Sequence, residues 1–195
     1  MNSDKEKQIW KYYEKNLSIK RQKHIRGVIE SAEKLAEKYG GEKEKVRTAA
    51  LLHDYAKGQT PDEMKYCLIE NNVLLDDIQM RCDSLLHALV AVVVAFKEYG
   101  ISDIDILNSI RYHTTGRKNM SINEKIVCLA DYIEKNRNFD GVEKIREKAE
   151  KDIDLALKTA FDGTIRSLLN KGELIHPDTL AARNELLIIT ENKQK

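Results

Sequence analysis

Five histidines occur in this 195-residue chain, at positions 24, 53, 87, 113 and 176. The first four fall near the inner edges of expected helices or just past their ends. His53 is followed at once by Asp54 and preceded by Ala49-Ala50-Leu51-Leu52, so an imidazole and a carboxylate close an apolar helix. Burying an unpaired carboxylate is costly, and a metal ion would offset that cost. Asp131 makes the same point independently, inside the apolar run Ile126 to Ile133. His87 sits within Leu85-Leu86-His87-Ala88-Leu89-Val90, and His24 shares a helix face with Val28 and Leu35. Imidazole nitrogens mixed with carboxylate oxygens suit iron, manganese, cobalt or zinc. Four histidines and two aspartates suffice for two divalent transition metal ions with one carboxylate bridging. Each residue alone has a plainer explanation: a hydrogen-bonded core histidine, an Asp131 paired with a basic neighbour, an Asp54 capping the next turn. A single binuclear centre replaces six separate accounts.

The elements that would carry these residues read as helices throughout. Only two prolines and nine glycines interrupt the chain, and apolar residues recur at helical spacing. Helices are expected over about 5–15, 18–39, 44–55, 61–70, 83–99, 103–112, 121–137 and 142–170, the last broken near Asp152, with a final one from the His176-Pro177 turn to about Ile189. Gly40-Gly41 supplies a left-handed stop. Thr60-Pro61-Asp62-Glu63 and Ser121-Ile122-Asn123-Glu124 are capping boxes. No strand alternation or internal repeat is evident, so the expected fold is all-α, a compact helical bundle.

Thirty-three basic and 32 acidic residues give a net charge of +1. That balance offers no electrostatic case for nucleic acid or an anionic membrane. The longest apolar run, Leu85 to Phe96, is too short to cross a bilayer. The cysteines at 67, 82 and 128 form no C-x-x-C pair, which points to a reducing, cytoplasmic setting.

His24, then His53-Asp54, then Asp131 resembles the H…HD…D signature of the HD-domain phosphohydrolases, with His87 and His113 matching the intervening histidines of binuclear members. Within that superfamily the chain is similar to the YqeK family of symmetrical diadenosine tetraphosphate hydrolases. The discriminating segments are His113-Thr114-Thr115-Gly116-Arg117, Met120-Ser121, Ala130-Asp131-Tyr132-Ile133-Glu134 with Arg137, and Ile175-His176-Pro177-Asp178-Thr179. The resemblance implies one HD domain over 1–195, with 1–17 an N-terminal helical extension and 172–195 a C-terminal helix closing a nucleotide pocket. It implies two divalent transition metals, iron first and manganese or cobalt as alternatives. His24, His53 and Asp131 would hold one ion, His87 and His113 the other, and Asp54 would bridge. A hydroxide between the ions would attack phosphorus and yield two ADP.

Charge on the tetraphosphate calls for cations. Lys57 stands one turn beyond His53-Asp54, Arg21 one turn before His24, and Arg137 just past the Asp131 helix. Asp54 and Lys57 are thus the expected catalytic pair. Arg21, Lys57, Thr114, Thr115, Arg117, Arg137, His176 and Pro177 are the expected substrate contacts, with Gly116 turning backbone N–H groups toward phosphate. A nucleotide is the expected partner, with a homodimer left open. Two alternatives stand beside this one. The chain could be an HD phosphohydrolase of another nucleotide (a dNTP, a nucleoside monophosphate or guanosine tetraphosphate), or a non-catalytic module binding metal and nucleotide.

Overall fold

Local capping chemistry sets most of the helix boundaries. Asn2, Ser18, Asp103, Asp152 and His176 each accept a main-chain N–H at the start of a helix, and Thr60 and Ser121 form the two expected reciprocal capping boxes. The computed structural model describes residues 1–193, so the last two positions of the expected C-terminal segment 172–195 lie outside the described residues. In chain order the helices are α1 (Ser3–Asn16), α2 (Ile19–Tyr39), α3 (Lys43–Leu52), α4 (Pro61–Glu70) and α5 (Leu86–Lys97), then α6 (Ile104–Arg111), α7 (Ile122–Ile133), α8 (Val142–Ala149), α9 (Ile153–Lys171) and α10 (Pro177–Asn192). Among the described residues there is no strand.

Two boundaries depart from periodicity in ways that serve the site. The helix expected to reach Tyr55 stops at Leu52, and Tyr55–Gly58 winds instead as a 3-10 turn. Neighbouring residues on one helix diverge by about 100°. The bend at Asp54 therefore lets His53 and Asp54 face the same centre. The helix expected to run to 137 stops at Ile133, because Glu134 turns extended (φ −53°, ψ 151°). That turn lets Arg137 fold back onto Asp131. The break near Asp152 is present: Asp152 caps α9 through the N–H groups of Asp154 and Leu155, at 2.7 and 3.0 Å.

Helix α2 packs on α3 and α7, α6 packs on α3, α5 and α7, and α9 packs on α7, α8 and α10. The side chains between them include Ile25, Leu51, Leu52, Leu86, Ile110, Ile126, Leu129, Leu157 and Phe161, all fully buried. Each contributes about 1.5–3 kcal/mol of apolar burial. Helix α1 joins the same core rather than hanging from it. Its Ile9 and Tyr13 are fully buried, and the Tyr13 hydroxyl donates to the Leu51 carbonyl at 2.6 Å. The Tyr12 ring stacks on Tyr55 at 4.2 Å between centroids, which braces the 3-10 turn directly after Asp54.

Candidate metal centre

Three helices and two turns deliver the candidate ligands: His24 from the first turns of α2, His53 and Asp54 from the bend after α3, His87 from the first turn of α5, His113 from just beyond α6, and Asp131 from α7. His24, His53, Asp54, His87 and His113 are buried, and the Asp131 side chain is mostly so. Potential ligand atoms of His24, His53 and Asp131 all lie within 4.8 Å of one another, as do those of His53, Asp54 and His113. Asp54 reaches toward both groups. Its Oδ2 is 3.5 Å from His24 Nε2 and 3.4 Å from His53 Nε2, while its Oδ1 is 3.5 Å from His87 Nε2. Asp131 Oδ1 lies 2.9 Å from His24 Nε2.

The second nitrogen of each ring fixes its orientation. His53, His87 and His113 each place Nδ1 2.7 Å from the carbonyl three residues earlier, Ala50, Ser84 and Ile110 respectively. A carbonyl only accepts, so Nδ1 carries the proton and Nε2 is left with a lone pair. His24 uses Nδ1 toward Glu134 Oε1 at 3.1 Å. All four Nε2 atoms therefore point inward as ligand atoms.

This arrangement suits cations better than it suits itself. The Nε2 atoms of His24 and His53 are buried and meet no hydrogen-bond partner among the described residues. The Nε2 atoms of His87 and His113 face each other at 3.1 Å, lone pair to lone pair. Imidazole with carboxylate is a donor set for a divalent transition metal. Burial, and then the neighbouring imidazole of His53, pushes the His113 pKa down to about 4. Burial and His113 likewise hold His87 well below the usual imidazole value. Burial opposes charge on Asp54 and Asp131, but adjacent imidazoles outweigh it, with Arg137 added at Asp131, and both stay ionised. Neutral His87 and His113 beside ionised carboxylates have the protonation states that ligation requires, whereas at His53 burial lowers the pKa but the ionised Asp54 outweighs it and the net shift is upward.

Cations rim the centre unequally. Arg21 Nη1 donates to Asp54 Oδ2 at 2.6 Å. Arg137 donates through Nε to the Asp131 carbonyl at 2.7 Å and through Nη2 to its carboxylate. Lys57 is exposed and makes no ion pair among the described residues, so its ammonium is available. Beside His113 a cavity of about 190 Å³ is lined by Thr114, Thr115, Arg111, Asp76, His176 and Asp178, among others. The Thr114 hydroxyl lies 3.0 Å from His113 Nε2. His176 caps α10 and sets Nε2 2.9 Å from Asp76 Oδ2, which ties the loop after α4 to α10.

The remaining expected contacts sit elsewhere. The Arg117 guanidinium forks onto the buried Glu124 carboxylate at 2.7 and 2.6 Å and does not line the cavity. The Gly116 N–H is spent on the Tyr112 carbonyl at 2.8 Å, so it is not free for phosphate. That glycine is required for a different reason. It adopts φ +63°, and a Cβ there would meet Phe161 at 2.6 Å. Pro177 is exposed at the first position of α10 and shapes the helix entry rather than the cavity wall.

The roles of two residues escaped the sequence reasoning, which quoted Glu134 only as part of a family segment. Glu134 orients His24, and its signal was Gly27 in mid-helix: a Cβ at Gly27 would meet Glu134 Oε2 at 2.2 Å. Arg111 stands at the cavity beside Tyr112, with its guanidinium carbon 5.4 Å from that ring's centroid. Its only sequence mark was closeness to His113.

Residues 21–136 match the HD domain family. A protein of Halalkalibacterium halodurans described as a symmetrical bis(5'-nucleosyl)-tetraphosphatase is 45% identical over 96% of this chain and 98% of its own length. Proteins of the same description from Bacillus subtilis and Staphylococcus aureus are 40% and 35% identical, over 84% and 94% of this chain and 88% and 94% of their own lengths. A crystal structure from Clostridium acetobutylicum, described as a predicted HD superfamily hydrolase involved in NAD metabolism, superposes with a TM-score of 0.90. It is 42% identical and covers 96% of this chain and 97% of its own. The chain belongs to the HD domain family and, within it, to the family of symmetrical bis(5'-nucleosyl)-tetraphosphatases.

Proposed function

We propose that this chain hydrolyses diadenosine tetraphosphate symmetrically into two ADP, and that it does so as a metal-dependent enzyme whose whole length acts as one domain. The observation that carries the reading is the convergence of four imidazole Nε2 atoms and two carboxylates, two of those nitrogens buried without a partner. His24, His53 and Asp131 would hold one divalent ion and His87 and His113 the other, with Asp54 between them. Iron is the first choice, and manganese or cobalt the alternatives. Bound divalent ions would supply Lewis acidity toward phosphoryl oxygens and lower the pKa of water.

The chain's own residues do the rest. Main-chain carbonyls and Glu134 lock the imidazoles, so no reorientation is needed when charge develops. Lys57 neutralises a phosphoryl oxygen as a point charge. Arg21 and Arg137 hold Asp54 and Asp131 in place while standing at the rim where an anionic substrate enters. The cavity beside Thr114 and His176 takes one ADP-like half. The water oxygen joins the second phosphorus, the bond from that phosphorus to the bridging oxygen breaks, and the electron pair leaves on the other ADP.

Among the described residues no helix is long and apolar enough to cross a membrane. The absence of a C-x-x-C pair among the three cysteines supports a reducing, cytoplasmic setting, with a nucleotide as the partner. The test is chromatography of early products from the metal-loaded protein. ADP alone supports the reading, and equal AMP and ATP refute it while leaving the metal chemistry intact. Chelator should abolish turnover, and a divalent transition metal should restore it.

A further inference from the structure

A second cleft, of about 250 Å³, opens on the other flank of His87 and shares no lining residue with the cavity beside Thr114. Its walls include Ala56, Lys57, Gln59, Met64, Ser84 and His87. The two spaces meet the metal centre at adjacent histidines: the first through Thr114, which touches His113, and the second through His87 itself. Helix α5 divides them, offering Ala88 and Leu89 to one and its His87 face to the other.

The second cleft carries an unsatisfied recognition group. Gln59 Oε1 is buried and finds no donor among the described residues. A buried amide oxygen left unpaired costs about 1–3 kcal/mol, and a ligand that donates to it recovers that cost. Met64 and Ala56 beside it provide apolar wall for a planar ring. Lys57 stands between Gln59 and the His53-Asp54 bend, with its ammonium free for phosphate.

We propose that this cleft holds the second nucleoside half of the substrate, with the Gln59 amide reading its base. The inference rests on the proposed activity, since a dinucleoside substrate cut at its middle must extend past the metal centre in both directions. Gln59 offers an acceptor and a donor side by side. Adenine offers the matching exocyclic amine and ring nitrogen, whereas guanine places a carbonyl oxygen where that amine would be. Gln59 is therefore a specificity residue that favours adenine on the leaving side, and Lys57 links that base to the phosphate chain.

The experiment is calorimetric titration of the metal-loaded protein with ADP, alongside kcat/KM for diadenosine tetraphosphate. Two ADP sites per chain are expected. Gln59→Leu should weaken one of them about tenfold, leave the other, and lower kcat/KM by a similar factor. Ser84→Trp, an exposed position that contributes only a main-chain carbonyl to the centre, should fill the cleft and remove the same ADP site. Circular dichroism and metal content establish that both variants are folded and loaded. One ADP site in the parent protein, or two sites of parental affinity in both variants, would overturn the proposal. Failure of the activity reading shows separately, as AMP and ATP from the parent protein, and leaves the count of ADP sites to decide the cleft.

Discussion

His24 Nδ1 meets Glu134 Oε1 at 3.1 Å, which makes His24 the one imidazole of the centre oriented by a carboxylate and not by a main-chain carbonyl. Glu134 is buried, and its other oxygen accepts from the Asn136 N–H at 2.7 Å and the Asn136 side-chain amide at 2.8 Å. A carboxylate behind a ligating histidine raises its basicity and fixes its tautomer, and loss of such a partner costs 10- to 100-fold in metal affinity or activity as a general range.

Glu134→Gln should therefore weaken metal at the His24 lobe by roughly 10-fold or more while the fold persists. Metal stoichiometry under competition with a chelator reads this directly. Gly27→Ala should act on the same contact from the opposite side, since its methyl would displace Glu134. Unchanged metal retention in both variants would remove Glu134 from the site.

Asp54 faces both groups of imidazoles. Asp54→Ala should abolish turnover and lower metal content, because its two oxygens face His24 and His53 on one side and His87 on the other. Far-ultraviolet circular dichroism should stay close to the parent, since α3 ends before Asp54 and the helices do not depend on its side chain. Parental turnover with metal still bound would contradict the bridging role.

Lys57 and Arg137 were both expected to contact phosphate, Lys57 also as a catalytic residue, and their surroundings differ. Lys57 has no ion-pair partner among the described residues, whereas Arg137 is committed to Asp131 through two contacts. Lys57→Ala should lower kcat/KM by roughly one to two decades, the worth of a charge-assisted hydrogen bond, with metal retained. Arg137→Ala should lower kcat/KM and also loosen metal, because Asp131 loses its brace. Titrating both variants with metal before assaying them distinguishes the two outcomes.

The candidate ligand set was legible because its residues break the apolar pattern: His53-Asp54 after Ala-Ala-Leu-Leu, His87 and Asp131 inside apolar runs. Capping boxes at Thr60 and Ser121 were legible for a related reason, since their chemistry is local and needs only four residues. Pairings between elements were not. Arg117 reads as a phosphate ligand next to His113-Thr114-Thr115, and only the packing of α7 reveals that Glu124 claims it. Gly116 reads as an open phosphate turn, and only the approach of Phe161 from α9 reveals that it is a packing glycine. The bend at Asp54 was also hidden, because Tyr55 and Ala56 continue an apolar pattern that a 3-10 turn satisfies as well as an α-helix does.

The Arg117–Glu124 fork gives the last prediction. Glu124 is almost fully buried, and besides closing the α7 capping box it accepts two hydrogen bonds from the partly exposed Arg117. Removing one partner of a buried pair strands the other charge, which costs about 3 kcal/mol. Arg117→Ala should therefore lower the melting temperature by several degrees while kcat/KM of the folded, metal-loaded enzyme stays near the parent value. A phosphate-binding Arg117 predicts the reverse: a preserved melting temperature and a loss of one to two decades in kcat/KM. Arg117→Met combined with Glu124→Leu should recover much of the lost stability, since an apolar pair of similar volume leaves no buried charge unpaired. Thermal melts of the single and double variants beside their kinetics decide between a structural and a substrate-binding arginine.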